Sequence, residues 1–340
     1  MRIGILTGGG DCPGLNAAIR AVVKRGSSEH GHSIVGFRNG WKGFLDGESV
    51  PLDRNDVRGS LVQGGTMLGT ARCHPHREEG GLERAQEVVE EEKLDAIICI
   101  GGDGTLGAAS KVGETGVPVI GIPKTIDNDV VGTDSSIGFD TAVTIATEAI
   151  DRLHSTAESH NRVMVVELMG RHSGWIAVAA GIAGGADIIL APEEPFDINK
   201  IGKRIRHRHH SQEGFSIVAV AEGARPNKDS DWQLDETLDA KGNPIAGEIG
   251  AQVTREIEAR TGYVSRLTTL GYVQRGGTPT AYDRLLGTRM GVAAIDAATA
   301  GETQKFTALK GEKIKLVDFS VMAGKTKYVP ADILDAARGL

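Results

Sequence analysis

The chain has 340 residues, of which 38 are lysine or arginine, 45 are aspartate or glutamate and 47 are glycine, for a formal net charge of −7. With 40% hydrophobic residues, it has enough apolar surface for two domains of roughly 100 to 200 residues, which excludes intrinsic disorder. The acidic balance argues against a nucleic-acid partner and an anionic membrane surface, because both require a basic face.

The amino-terminal residues MRIGILTGGG lack the basic stretch, apolar core and cleavage site of a signal peptide. No apolar run approaches the ~20 residues of a membrane-spanning helix. We therefore expect a cytoplasmic protein without a membrane partner. The widely spaced Cys12, Cys73 and Cys99 fit reduced thiols better than a disulfide framework.

Short runs rich in valine and isoleucine alternate along the chain with segments whose apolar residues recur every three or four positions. The predicted strands are Arg2 to Thr7, Ser33 to Phe37, Ala96 to Ile100, Val117 to Ile122, Arg162 to Leu168, Ile188 to Leu190 and Ser216 to Ala221. The predicted helices include Leu15 to Arg25, Thr141 to Ala157, Ser173 to Ala183, Ile198 to His210, Ile249 to Thr261 and Ala281 to Ala298. Because continuously apolar strands are typical of parallel sheets covered by helices on both faces, we predict a doubly wound α/β fold. Ligands should bind at the carboxyl ends of its strands, and a domain boundary should fall near residue 138.

Two predicted strands end in glycine clusters, in the segments ILTGGGDCPGLNAAIR and CIGGDGTLGAAS. Glycine lets the backbone approach a phosphate closely, and the helix that follows offers free N–H groups. The clusters fit neither the GxGxxG dinucleotide pattern nor a Walker loop. They are interpreted as anion-binding loops, with glycine-permitted tight turns as the alternative.

The segment PKTIDND follows another predicted strand and places Lys124, Thr125, Asp127 and Asp129 at its carboxyl end. Carboxylates near bound phosphates can hold Mg²⁺ or accept a proton from an attacking hydroxyl. An EF-hand loop is excluded, because Val131 and Gly138 stand at the fifth and twelfth positions of its pattern, which must supply oxygen ligands. An Asx turn without a chemical role is the alternative.

Several arginines are candidate phosphate ligands, because a guanidinium group can bind phosphate through two hydrogen bonds. They are Arg72, Arg162, Arg171, Arg266, Arg275 and Arg284; each alone could equally form a surface ion pair. The segment CHPHR, residues 73–77, lacks a second ligand pair at zinc spacing. The segment RIRHRHH, residues 204–210, fits the solvated carboxyl end of a helix. Neither a zinc site nor a nucleic-acid interface is expected at these two segments.

Taken together, GGDGT, PKTIDND, MGR and LGYVQRGG closely resemble the phosphofructokinases, which phosphorylate the 1-hydroxyl of fructose 6-phosphate, and the resemblance runs from residue 2 to about residue 290. It implies that Asp127 is the general base on that hydroxyl, with Thr125 beside it. It also implies that Asp103 binds Mg²⁺ with support from Asp129.

The resemblance further implies which residues bind the phosphoryl donor. Gly10 and Arg72 would steady the phosphoryl group during transfer. The other implied donor contacts are Cys73, Gly102, Asp103, Gly104 and Thr105. Cys73 replaces a phenylalanine that is common in the family, so the contact with adenine is expected to differ.

The resemblance also implies a binding site for the sugar phosphate. Its residues would be Thr125, Asp127, Met169, Gly170, Arg171, Glu222, Tyr272 and Arg275. Arg162 and Arg266 would come from a neighbouring subunit, so the active site would require an oligomer, expected to be a homotetramer. Tyr272 replaces a histidine common in the family, and its hydroxyl can still donate to a phosphate oxygen.

By the same resemblance we expect two Rossmann-like domains with the active site in the cleft between them. Residues 1–138 and about 252–305 would bind the phosphoryl donor. Residues 139–251 and about 306–320 would bind the sugar phosphate, and residues 321–340 would form a carboxyl-terminal extension.

The resemblance leaves two phosphoryl donors open, because the family contains ATP-dependent and pyrophosphate-dependent members. Pyrophosphate users typically have an aspartate that repels the ATP α-phosphate at the position where this chain has Gly104. Lys124 favours the opposite choice, because pyrophosphate users carry lysine there, and its ammonium could bind the terminal phosphates of either donor. We predict ATP, because exclusion by an aspartate is harder to bypass than an additional lysine. Pyrophosphate, which would make the reaction readily reversible, is the alternative.

Other functions fit the motifs less well. NAD kinases and lipid kinases share GGDGT but lack PKTIDND, and a protein that only binds ligands would not need a competent side chain at every chemical position. Arg20, Lys24, Arg54 and Asp187 match the effector pocket of bacterial relatives, whereas His154 replaces an arginine. Weak or altered allosteric control is therefore expected.

Overall fold

The computed structural model of the protein describes residues 1–211, 214–235, 248–322 and 324–338. The chain divides into two compact units, one comprising Met1–Thr141 and Arg275–Thr326 and the other comprising Ala142–Gln274 and Lys327–Leu340. Each unit is built around one mostly parallel sheet, which confirms the predicted α/β fold. None of the described helices is both long enough and apolar enough to span a membrane.

The strands and helices follow one another along most of the described chain. The strands are β1 (Arg2–Thr7), β2 (Ser33–Phe37), β3 (Ser49–Leu52), β4 (Ala96–Gly101), β5 (Val119–Pro123), β6 (Val163–Leu168), β7 (Ile188–Leu190), β8 (Ser216–Ala221), β9 (Ser265–Thr269), β10 (Lys305–Lys310) and β11 (Lys313–Asp318). The helices are α1 (Leu15–Glu29), α2 (Gly40–Leu45), α3 (Gly81–Glu91), α4 (Asp103–Glu114), α5 (Phe139–His160), α6 (Trp175–Ala183), α7 (Ile198–His210), α8 (Glu248–Thr261), α9 (Ala281–Thr299) and α10 (Ala331–Arg338).

The first unit contains a seven-stranded sheet in the order β11-β10-β5-β4-β1-β2-β3. Its central strands are parallel, and the two edge strands, β3 and β11, run antiparallel to their neighbours. Strands β4 and β5 are buried along their whole length, because helices cover both faces of a parallel sheet. The carboxyl ends of β1, β4 and β5 lie at the same edge, since Thr7 pairs with Ile100 and Gly101 pairs with Pro123.

The second unit contains a four-stranded parallel sheet in the order β7-β8-β6-β9. Its central strands, β6 and β8, are buried at every position. Leu168 pairs with Ala221, so the loops that follow these two strands leave the sheet side by side. Helix α10 packs against α6, which places the described end of the chain on this unit.

The structure corrects the predicted division of the chain at two places. The residues of strand β9 lie in the segment 252–305, which is predicted to belong to the first domain, but β9 pairs with β6 in the second sheet. Strands β10 and β11 lie almost entirely in the segment 306–320, which is predicted to belong to the second domain, but they extend the first sheet through β5. Residues 252–274 therefore belong to the second unit and residues 306–326 to the first. The first boundary lies after Thr141, within the first turn of α5, and the sequence predicts it near residue 138. The predicted segment 139–251 includes residues 212–213 and 236–247, which lie outside the described residues.

Candidate functional site

Three loops meet at the carboxyl edge of the first sheet. The Gly8 amide donates a hydrogen bond to the Ile100 carbonyl at 2.9 Å, and the Lys124 amide donates to the Gly101 carbonyl at 2.9 Å. These bonds join the ends of β1, β4 and β5 to one another. The two glycine loops and the acidic segment predicted from the sequence are therefore neighbours.

The glycines at the start of the two loops make room for Thr105. A Cβ atom at either Gly8 or Gly101 would lie within about 2.5 Å of Thr105 side-chain atoms, closer than any non-bonded contact allows. The Thr105 side chain is only 4% exposed, and its carbonyl accepts a hydrogen bond from Trp41 Nε1 at 3.2 Å. Thr105, predicted to contact the donor, thus directs its side chain into the junction of the loops.

Helix α4 begins at the second glycine loop. Gly102, in extended conformation, precedes the helix, and its carbonyl accepts the amides of Thr105 and Leu106 at 3.0 Å each. Asp103 and Gly104, at the first two positions of the helix, are exposed. Partial desolvation raises the pKa of the Asp103 carboxyl. First-turn amides have no partner within a helix and favour bound anions, so α4 presents an anion site with a carboxylate beside it.

The acidic segment is held in a tight turn by its own side chains. Thr125 Oγ1 accepts the Asp127 amide at 3.1 Å, and the Thr125 carbonyl accepts Ser136 Oγ–H at 2.7 Å. Asn128 adopts a left-handed conformation with φ 51°, and its Oδ1 accepts the Ser136 amide at 3.1 Å. This turn leaves Asp127 buried, at 5% exposure, and Asp129 partly exposed.

Lys124 is directed into the first glycine loop. Its side chain is 1% exposed, and Nζ donates to the Gly8 carbonyl at 2.9 Å and to the Gly10 carbonyl. Burial lowers the pKa of this ammonium group. Arg275 supports the same loop, because Nη1 donates to the Asp11 carbonyl at 3.3 Å and the guanidinium lies against Gly10. Two cations therefore hold the carbonyl groups of this loop, and Arg275, predicted to bind the sugar phosphate, contacts Gly10, predicted to contact the phosphoryl group.

The carboxylates of this unit fit a magnesium ion that arrives with a phosphorylated ligand. Among residues 1–211, 214–235, 248–322 and 324–338, no three His, Cys, Asp or Glu side chains form a group able to hold a metal by themselves. Mg²⁺ is usually bound through one or two carboxylates together with water and substrate phosphates. The exposed Asp103, beside the amides of α4, meets that requirement, with Asp129 as the predicted second carboxylate.

The segment after the first predicted phosphate arginine lies near α4. Arg72 is exposed, whereas Cys73 is half-buried and packs against the core of the first unit. Burial raises the pKa of the Cys73 thiol, which fits an inert packing residue better than a nucleophile. His74, to which the sequence analysis gave no role, places its imidazole beside Gly104.

The second unit forms its own polar site at the carboxyl ends of β6, β8 and β9. Gly170 and Arg171 have positive φ angles of 147° and 51°, which turn the chain sharply after β6. Glu222 Oε1 accepts the amides of both residues, at 3.3 Å and 2.8 Å. Gln274 Oε1 accepts the Met169 amide at 3.3 Å, and Tyr272, in the same turn as Gln274, is 78% exposed. Five of the predicted sugar-phosphate residues are thus brought together, with Gln274 as a positioning residue that only its place in the LGYVQRGG motif could have indicated.

Arg162 and Arg266 lie at the amino-terminal ends of the strands of the same sheet. Arg162 directly precedes β6, and Met169 directly follows it. Arg266 pairs with Met164, near the start of that strand. Because six strand residues span about 20 Å, the two arginines and the Arg171 turn stand at opposite ends of β6. Within one copy of the unit they do not share a ligand site.

Three of the predicted effector residues line one cavity. Arg20, Lys24 and Arg54 surround a space of about 470 Å³ in the first unit, together with Arg58. Four basic side chains around one cavity favour an anionic ligand. In the second unit, Asp187 forms an ion pair of 2.5 Å with Arg208, and His154 Nε2 lies 2.7 Å from the Gly184 carbonyl.

The chain is similar to known proteins over nearly its whole length. The model of the family described as Phosphofructokinase matches residues 2–298. The chain is 50% identical over 337 residues to the pyrophosphate–fructose 6-phosphate 1-phosphotransferase of Amycolatopsis methanolica, covering 99% of this chain and 98% of that one. It is 51% identical over 340 residues to the ATP-dependent 6-phosphofructokinase of Mycobacterium tuberculosis, again covering 99% and 98%. The crystal structure of Pichia pastoris phosphofructokinase in the T-state matches with a TM-score of 0.83 and 34% identity, over 94% of this chain and 35% of that one.

Proposed function

Since the chain belongs to the phosphofructokinase family, we propose that it transfers a phosphoryl group from MgATP to the 1-hydroxyl of fructose 6-phosphate, a reaction of glycolysis. The product is fructose 1,6-bisphosphate. The observation that carries the choice of ATP is Gly104, because the exposed second position of α4 has no carboxylate to repel a nucleotide. The relatives include enzymes named for each donor, so the donor is the part of the proposal that needs its own test.

Asp127 is the general base of the proposed reaction. Its carboxylate takes the proton from the 1-hydroxyl as that oxygen attacks the terminal phosphorus in line with the leaving group. Thr125 accepts the Asp127 amide and so fixes the turn that presents the base. A base held in a buried, preformed turn needs little reorganisation before the proton transfer.

The first glycine loop and α4 bind the transferring phosphates. Negative charge on the phosphoryl group is balanced by loop amides near Gly10, by the first turn of α4 and by the exposed Arg72. Asp103 and Asp129 would hold Mg²⁺, which neutralises charge on the donor phosphates when it is bound. Lys124 stabilises the first glycine loop, because its ammonium group donates hydrogen bonds to the Gly8 and Gly10 carbonyls.

The turn after β6 binds fructose 6-phosphate. Arg171 supplies a guanidinium, and Glu222 holds the Met169–Arg171 turn in place through two amides. Tyr272 offers a hydroxyl at the same edge. Arg162 and Arg266 stand at the opposite end of β6, so they bind the 6-phosphate of a site on a neighbouring copy. The working enzyme is therefore an oligomer, which we propose to be a homotetramer. It is located in the cytoplasm.

Pyrophosphate is the second candidate donor. The observation that favours it is Lys124, since a buried ammonium at the first loop increases the positive potential where the terminal phosphates bind. With pyrophosphate, the same residues would run a readily reversible reaction.

Initial rates with fructose 6-phosphate and Mg²⁺, measured with ATP and with pyrophosphate on one preparation, test the donor. We expect ATP to give the higher kcat/KM by a factor of about a hundred or more. A preference of that size for pyrophosphate would overturn the choice of ATP while leaving the acceptor intact. No phosphorylation of fructose 6-phosphate with either donor would overturn the acceptor as well.

A further inference from the structure

The imidazole of His74 occupies the side-chain space of residue 104. A Cβ atom on Gly104 would lie 2.9 Å from His74 Cε1 and 3.6 Å from Nε2. His74 directly precedes the 3-10 turn Pro75–Arg77, and its carbonyl accepts the Arg77 amide at 2.9 Å. The backbone of this residue is therefore anchored, and its ring lies over the first turn of α4.

The ring has unused hydrogen-bonding capacity. His74 Nδ1 is buried and has no hydrogen-bond partner among the residues that the structure describes. Buried polar atoms in folded proteins nearly always have a partner, and those without one mark a strained site, a functional group or a place for a water or an ion. The ring centroid of His76 lies 5.9 Å from that of His74, and the two ring planes are tilted by 47°.

Charges of both signs lie near this segment, since Glu78, Lys42 and Asp46 all act on the Cys73 thiol, next to His74. Partial desolvation lowers the pKa of His76, and the nearby charges of Arg77, His74 and Lys111 contribute to that shift. Arg72, two residues before His74, is exposed. Arg72 and the exposed Arg77 are the cationic side chains of this segment, and a guanidinium group binds phosphate well.

We propose that His74 determines donor specificity by binding the α-phosphate and ribose of a nucleotide at Gly104, a segment that pyrophosphate lacks. This inference rests on the proposed use of ATP. Asp103 would hold Mg²⁺ beside the reacting phosphates, and Gly104 follows Asp103 on the exposed first turn of α4. A donor with more than two phosphate groups extends past Gly104, where the His74 imidazole is the nearest side chain.

The test compares His74→Ala and His74→Gln with the matched control His76→Ala, a neighbouring exposed histidine in the same segment. For each enzyme, kcat and KM are measured with ATP and with pyrophosphate, and the dissociation constants of ADP and pyrophosphate are measured by calorimetry without turnover. His74→Ala should raise the KM for ATP and the Kd for ADP by about tenfold, which is the loss of one hydrogen bond to a charged ligand. The constants for pyrophosphate should stay within about twofold, His74→Gln should recover part of the loss, and His76→Ala should match the unmodified enzyme.

Three results would overturn the inference: equal losses with both donors, which would indicate a structural role; ADP binding that does not change; or improved use of ATP, which would mean that the ring excludes nucleotides. The calorimetry separates this inference from the proposed function. If the unmodified enzyme reacts only with pyrophosphate yet binds ADP, weaker ADP binding by His74→Ala still supports the role of His74. If it reacts only with pyrophosphate and binds no ADP, both proposals fail.

Discussion

The carboxylate of Asp283, on α9, binds the amino terminus of α5 through Thr141. It accepts the Thr141 amide at 2.8 Å and Thr141 Oγ1–H at 2.5 Å, and its other oxygen accepts the Gly138 amide at 2.8 Å. A residue 142 positions away thus performs the task that an N-cap residue performs locally. The first of the two chain segments in this unit ends at Thr141, so this contact fixes the chain where it first leaves the unit.

Stability should depend on pH through Asp283. Burial raises the pKa of its carboxyl to about 6, against the opposing effect of the three hydrogen bonds. Between about pH 4 and pH 6 the Asp283 carboxyl therefore holds a proton in the folded chain that it lacks in the unfolded chain. Its contribution to the unfolding free energy consequently falls as the pH rises through this range, and it is constant above about pH 7. The fall is on the order of 3 kcal/mol.

Asp283→Asn removes this titration. Chemical denaturation of both proteins from pH 4 to pH 8 should show the unfolding free energy of the unmodified chain declining relative to the variant up to about pH 6. A constant difference over the whole range would contradict the raised pKa.

Asp127→Asn should abolish the proposed general base. We expect kcat to fall by roughly 10³-fold or more with either donor, because the amide cannot accept the hydroxyl proton. The thermal unfolding temperature should change little, since the backbone N–H of residue 127 keeps its hydrogen bond to Thr125 Oγ1. Asp134→Asn, at an exposed carboxylate five residues after the acidic segment, is the matched control and should retain its activity. Unchanged turnover in Asp127→Asn would rule out the assignment.

Lys124→Met tests whether this lysine shapes the loop or selects the donor. Removing the ammonium leaves the Gly8 and Gly10 carbonyls without their donor, and an unsatisfied buried group costs about 1–3 kcal/mol. We expect lower stability and a similar loss of kcat/KM with ATP and with pyrophosphate. Lys305→Met, at an exposed ion pair with Glu302, should leave both unchanged, and a loss confined to one donor would mean that Lys124 reads the donor directly.

Mixing inactive variants tests the proposed sharing of sites between subunits. Arg162→Ala and Asp127→Asn should each be inactive, whereas their mixed oligomers should regain up to about a quarter of full activity, because some sites combine two intact contributions. Arg162→Ala mixed with Arg266→Ala should regain none, since each copy then supplies a damaged arginine pair. Failure of the first mixture, with subunit exchange shown by mass spectrometry, would place the complete site within one copy.

The sequence predicted the buried strands well and the exposed ones poorly. Strands β4, β6 and β8 are continuous apolar runs, and their pattern identifies them because both faces are covered. Strand β9, with the sequence SRLTT, is partly exposed and has no such pattern. Its pairing with β6, and that of β10 with β5, depends on contacts between distant segments, which is why residues 252–274 and 306–320 were assigned to the wrong units.

The candidate site shows the same difference between local and distant determinants. The glycine loops and the acidic turn follow directly from local motifs, and the structure brings them to one edge of the sheet. The direction of the Lys124 side chain depends on the Gly8 and Gly10 carbonyls, which lie more than a hundred residues earlier in the chain. The position of His74 over Gly104 likewise depends on how two separate segments pack, so no motif could reveal it.

The two edges of the seven-stranded sheet resist extension by further strands. Pro51, on the edge strand β3, pairs with Val35 and lacks the amide hydrogen that an added strand would need. The opposite edge strand, β11, carries Lys313 and Lys315, and charged lysines on an edge oppose the approach of another backbone. This sheet is therefore protected at both edges against aggregation by strand addition.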